Sequence, residues 1–195
     1  MDGIHLILKS WPANKALQEI SFDTSTFFIQ IHGLPPNLMH ADNARRIGRL
    51  IGDLHEASIG KKFVVGNRFL RIRVDIPVGN PIPAGYFQKK EQGEDLWIQF
   101  KLERLPDFCY KCGLLSHVTG RCGFAEPARV TTGNGISARL YGPWIRAEYK
   151  GESLAINPPE EPRRKRLVED IRDAGFQRVS LPRKVFWEFL KEVRL

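Results

Sequence analysis

Cys109-Tyr110-Lys111-Cys112-Gly113-Leu114-Leu115-Ser116-His117-Val118-Thr119-Gly120-Arg121-Cys122 is the stretch around which the chain is organised. Its pattern is C-x2-C-x4-H-x4-C, and it uses all three cysteines of the chain. Two residues between Cys109 and Cys112 make a tight turn that aims both sulfurs at one point. Gly113 follows that turn, where positive φ is common and glycine adopts it without a Cβ penalty. Four residues on either side of His117 let the loop double back, so that His117 and Cys122 close a tetrahedron. Three thiolates and an imidazole are a structural zinc set, with bonds of about 2.3 and 2.0 Å. The spacing therefore predicts one zinc ion per chain, held by Cys109, Cys112, His117 and Cys122. A catalytic zinc keeps a position open for water. Four ligands within so short a loop leave none, and no enzyme activity is expected.

The segment resembles the retroviral-type zinc knuckle, with an aromatic after the first cysteine (Tyr110) and an apolar residue after the histidine (Val118). Ser116 stands where such knuckles usually have glycine. A wider stretch, from about Trp11 to Trp144, resembles a plant family of retroelement-derived proteins. In that family a domain of unknown function precedes the knuckle, as in the Gag-like first-reading-frame proteins of non-LTR elements. The residues that carry the likeness are Trp11-Pro12, Ile29-Gln30-Ile31-His32-Gly33-Leu34-Pro35, Ile47-Gly48-Arg49-Leu50-Ile51-Gly52, Arg71-Ile72-Arg73-Val74, Glu103-Arg104-Leu105-Pro106-Asp107-Phe108 and Tyr141-Gly142-Pro143-Trp144. The resemblance implies zinc-dependent nucleic-acid binding without catalysis. It also implies a member lacking the half-domain that normally precedes Trp11-Pro12. A sheet without that half would have an uncovered edge, and open edges promote self-association.

A formal net charge of +8 and a pI near 9.6 favour an anionic partner such as nucleic acid or an acidic membrane surface. Apolar residues make up 42%, enough for a core. Cysteines in metal-ligand spacing, with none left to pair, suit a reducing compartment. No signal peptide is legible, and no run approaches eighteen apolar residues, so an intracellular protein is expected. The run Arg163-Arg164-Lys165-Arg166 tilts that expectation towards the nucleus.

Read in order, residues 4–8 suggest a short strand that Trp11-Pro12 stops. Phe27, Ile29 and Ile31 alternate with Phe28, Gln30 and His32, the period of a half-buried strand. Residues 41–54 place Ala44, Ile47, Leu50, Ile51 and Leu54 on one helical stripe, with Arg45, Arg46 and Arg49 facing away and Gly52 as a C-cap. Short strands are expected over 54–59 and 61–65, with a hairpin turn at Gly66-Asn67. Leu70, Ile72, Val74 and Ile76 then oppose Phe69, Arg71, Arg73 and Asp75. A proline- and glycine-rich connection, 77–85, leads to Leu96, Ile98 and Phe100, which alternate with Trp97, Gln99 and Lys101.

The expected class is α+β: a small sheet with one packed helix, similar to half of an RNA-recognition motif but without that fold's aromatic-rich signature. A CCHC knuckle and a partly helical tail follow. The boundaries read as 1–26, an N-terminal strand and linker; 27–105, the α+β domain; 106–124, the knuckle; and 125–195, a loop-rich tail. Helices are expected over 163–174 and 182–195. Pro106-Asp107-Phe108 should dock the knuckle's base on the sheet. His5, His32, His40 and His55 lack partners at ligand spacing and read as ordinary.

On the knuckle, Tyr110 and Val118 should lie side by side as a small apolar platform for an unpaired base. Lys111 and Arg121 should reach for phosphate. Arg71 and Arg73, beside Phe69, either extend a basic surface or form a solvated strand face. Two functions follow. The first is binding of single-stranded RNA or DNA through the knuckle. The alternative is a protein-interaction module with a purely structural zinc, using the apolar face at Phe186 and Phe189.

Overall fold

The computed structural model describes residues 7–56, 69–90, 93–133 and 135–151. The expected strands at 4–8 and 61–65, the hairpin turn at Gly66-Asn67 and both tail helices lie wholly or largely outside them, as does the second half of the strand expected at 54–59, of which Leu54 falls in a strand. Five strands form one antiparallel sheet: β1 (Thr24–His32), β2 (Asp53–Leu54), β3 (Phe69–Pro77), β4 (Gly85–Gln88) and β5 (Leu96–Leu102). Their order is β2-β3-β1-β5-β4, so the first strand is central. With helix α1 (Ala41–Ile51) between β1 and β2, this is a split β-α-β arrangement. No second helix crosses to β5 among the described residues; the edge strand β4 pairs with β5 instead.

The period-2 patterns place the core as expected. Phe27, Ile29, Ile31, Leu70, Ile72, Val74 and Ile76 are all buried on the face covered by α1, where Ala44, Ile47 and Ile51 meet them. The helix ends at Ile51 rather than near 54, because Gly52, after a last helical bond to the Gly48 carbonyl, turns extended (φ 171°, ψ −155°) and leads into β2. A Cβ at Gly52 would lie 2.2 Å from the Asp75 carbonyl oxygen, so this turn tolerates no side chain. Leu54 reaches the same core from β2 and packs against Gly48. His40 caps the helix by accepting from the Asn43 amide. Arg45 and Arg49 pair with Asp42 and Glu56 on the solvent side.

Two departures from the expected pattern reshape the rest. β5 is buried on both faces over Trp97–Phe100, because β4 and its approach cover the side that alternation leaves to solvent. Trp97 donates to Gln99, whose amide donates to the Ala84 and Phe100 carbonyls, so the polar groups buried there are satisfied. The second departure lies beyond the knuckle. Strands β6 (Arg129–Thr131) and β7 (Ser137–Arg139) form a hairpin around the expected loop. Val130, Leu140, Tyr141 and Ile145 then join the main core. Residues 128–147 are thus part of the folded body.

A candidate zinc centre fused to the sheet

The knuckle is built on a turn whose two ends are fixed by the protein around it. The Gly113 amide bonds back to the Cys109 carbonyl, and the Cys109 amide to the Leu114 carbonyl. Gly113 takes φ +81°, and a Cβ there would lie 2.3 Å from the Tyr141 ring. Glycine is required twice over, by conformation and by space. Outside the turn, the Ile82 amide donates to the Gly113 carbonyl and the Ala128 amide to the Lys111 carbonyl. Fully buried Tyr141 donates its hydroxyl to the Ile82 carbonyl at 2.9 Å. Phe108, 3% exposed, packs edge-on against both Tyr141 and Tyr110. The expectation that Pro106-Asp107-Phe108 docks the knuckle on the sheet is met, and β6–β7 with its following segment grips it from the other side.

The ligating atoms of Cys109, Cys112, His117 and Cys122 all lie within 4.8 Å of one another. A tetrahedron of about 2.3 Å bonds has edges of about 3.8 Å, so the cluster fits zinc. His117 Nε2 stands 3.4 Å from Cys112 Sγ, while its Nδ1 lies 3.1 Å from the Ser116 hydroxyl. That orientation leaves Nε2 for the metal and gives the Nδ1 proton an acceptor, the second-shell arrangement typical of zinc histidines. Burial works against the Cys109 thiolate, but amide hydrogen bonds from Cys112 and Lys111 more than offset it and hold the thiol below its ordinary range. Burial pushes the neighbouring Cys112 thiol up to about 12. Buried sulfurs so close together cannot all ionise unaided, and a divalent cation supplies the missing charge. Zinc here is structural, with four protein ligands.

The residues expected to touch nucleic acid are placed less uniformly. Val118 is 39% exposed and Arg121 is exposed. Tyr110 is half-buried: its ring lies against Phe108 and its hydroxyl accepts from Arg146 Nε at 2.8 Å. Its ring is thus partly covered, by Phe108 and by Arg146 from the segment after the knuckle. Lys111 is turned back to donate to the Phe124 carbonyl at 3.0 Å. Sequence reasoning passed over three residues. Phe124 is 40% exposed just past the last ligand. Thr119 accepts the Tyr110 amide. The Arg146 guanidinium, besides holding Tyr110, donates to the Leu105 and Pro106 carbonyls.

A family model described as "Zinc knuckle" matches residues 81–124. The match begins near Ile82, at the connection that bonds to Gly113, and so takes in the β4–β5 hairpin along with the metal loop. No curated protein and no solved structure matches the chain. No helix among the described residues is long and apolar enough to cross a membrane.

Proposed function

We propose that the chain binds single-stranded nucleic acid through its zinc knuckle, in a Gag-like, retroelement-derived role. The observation that carries this reading is a closed Cys3His centre with Val118 and Arg121 exposed beside it. Metal saturated by protein ligands does no chemistry of its own, so its work is to hold those side chains in place. An apolar side chain next to a guanidinium suits an unpaired base next to its phosphate. The net charge of +8 supplies long-range attraction for such a polyanion.

The test is fluorescence anisotropy of zinc-loaded protein with a short labelled oligonucleotide at several salt concentrations. Arg121→Gln is expected to weaken binding to all sequences and flatten the salt slope by about 0.7. Val118→Ser should weaken binding with little change in slope. Tyr110→Phe, which removes only the hydroxyl bonded to Arg146, should bind as the parent does. Duplex DNA should bind less well, because its bases are already stacked. If Arg121→Gln and Val118→Ser both bind like the parent, the exposed knuckle surface belongs to a protein partner instead.

A further inference from the structure

The sheet face opposite α1 holds a second constellation that the knuckle reading does not use. The strand register lays it out in three rows across β3, β1 and β5. The first row is Phe69, His32 and Gln99; the second is Arg71, Gln30 and Lys101. The third is Arg73 and Phe28, with Glu103 beside them through its amide bond to the Phe28 carbonyl. Rows two residues apart along a strand are separated by about 7 Å. Three rings thus share the face with three cations.

Each ring has a neighbour against it. His32 lies 4.8 Å from Phe69 at an interplanar angle of 33°. Burial, with Lys101 nearby, lowers its pKa to about 4, so at neutral pH it is an uncharged aromatic surface. The Arg71 guanidinium sits 3.6 Å over the Phe28 ring, locked there by two hydrogen bonds to Glu103. Glu103 also accepts from Gln30, which bonds to His32. Towards the β2 edge of this face, Asp75 accepts from Thr26 and pairs with His55, and exposed Asp53 lies opposite it in β2. Glu103, the carboxylate nearest the rings, is therefore engaged.

Lys101 stands outside this network. It is half-buried and has no hydrogen-bond or ion-pair partner among the described residues. Burial lowers its pKa, as expected of a cation held from water without a counter-charge. Folding gains nothing from a desolvated ammonium, and an arriving anion would relieve its cost.

We propose that this face is a second binding surface for single-stranded nucleic acid, with bases stacked on Phe69, His32 and the Arg71–Phe28 pair, and phosphates met by Lys101 and Arg73. Aromatic rings and guanidinium planes are the surfaces on which unpaired bases stack. A strand, unlike a small anion, uses the rings and the cations together. The proposal is independent of the knuckle and can stand or fall without it.

The test uses the zinc-loaded full chain and fluorescein-labelled oligouridylate and oligothymidylate. Lys101→Met keeps the length of the side chain and removes the buried charge, so thermal stability should hold or rise. Binding should nonetheless weaken and the salt slope flatten by about 0.7. Phe69→Leu keeps an apolar side chain but removes the ring, and should raise Kd about five- to tenfold with the slope unchanged. If both folded variants bind within twofold of the parent, the sheet face is not a nucleic-acid surface, whatever the knuckle does. If Lys101→Met weakens binding while Arg121→Gln does not, the sheet reading stands and the knuckle reading falls.

Discussion

At the scale of single residues, Ser116 shows how a departure from a motif acquires a role. Glycine is usual at this place in a knuckle, yet here the hydroxyl lies 3.1 Å from His117 Nδ1. It fixes the ring so that Nε2 turns to the sulfurs, and second-shell partners of this kind are worth about 10–100-fold in metal affinity. Ser116→Ala should therefore weaken zinc binding about tenfold, and Ser116→Thr should restore most of it. Competition with a calibrated chelator at neutral pH measures both. Equal affinity in all three proteins would show that the loop alone orients the imidazole. The four ligands were legible because metal spacing is a local property of sequence. The partners of Gly113, Tyr110 and Lys111 were not, since Tyr141, Arg146 and Phe124 reach them only once the chain has folded back.

Among the elements, the same contrast runs between β1, α1, β3 and β5 on one side and β4, β6 and β7 on the other. The first four are long enough for their apolar periods to be read directly. β4 has four residues, and β6 and β7 three each, too short for a period to emerge from turn-rich surroundings. They form because neighbouring strands and the knuckle supply partners. Zinc removal should expose this dependence. Metal binding and folding of such a loop are one event, with apparent affinities of about 10–16 kcal/mol. Chelation should therefore speed amide exchange in 107–122 and also at Ile82, Ala128 and Leu140, whose hydrogen bonds lead away from the loop. The amides of β1 and β3 should stay protected. Exchange confined to 107–122 would mean that the knuckle folds as a separate unit.

For the molecule as a whole, acid sensitivity has a source outside the metal site. The folded pKa of His32, about 4, lies below the ordinary 6.5 because burial and Lys101 oppose its charged form. A depressed folded pKa gives stability that is present above 6.5 and lost as pH falls towards 4. The unfolded chain takes the proton first. For a half-buried ring the loss is at most about 3 kcal/mol. Melting curves of zinc-loaded parent and His32→Asn should accordingly converge between pH 6.5 and 4, because zinc release on acidification is common to both. Parallel curves would remove His32 from the account. Among the described residues the outer strands of the sheet are short, β2 with two residues and β4 with four.

The placement of Tyr141, Ile145 and Arg146 also determines where the chain can be cut. The matched knuckle segment stops at residue 124, but Tyr141 fills the space above Gly113 and Arg146 holds the connection from β5. A recombinant fragment trimmed at 124 would lose both. It would expose the Phe108 ring and leave the Ile82 carbonyl without its hydroxyl donor. The smallest piece that can carry this zinc site in its native setting therefore extends to about residue 150, so a knuckle excised for binding or spectroscopic work would present a surface the intact protein does not have.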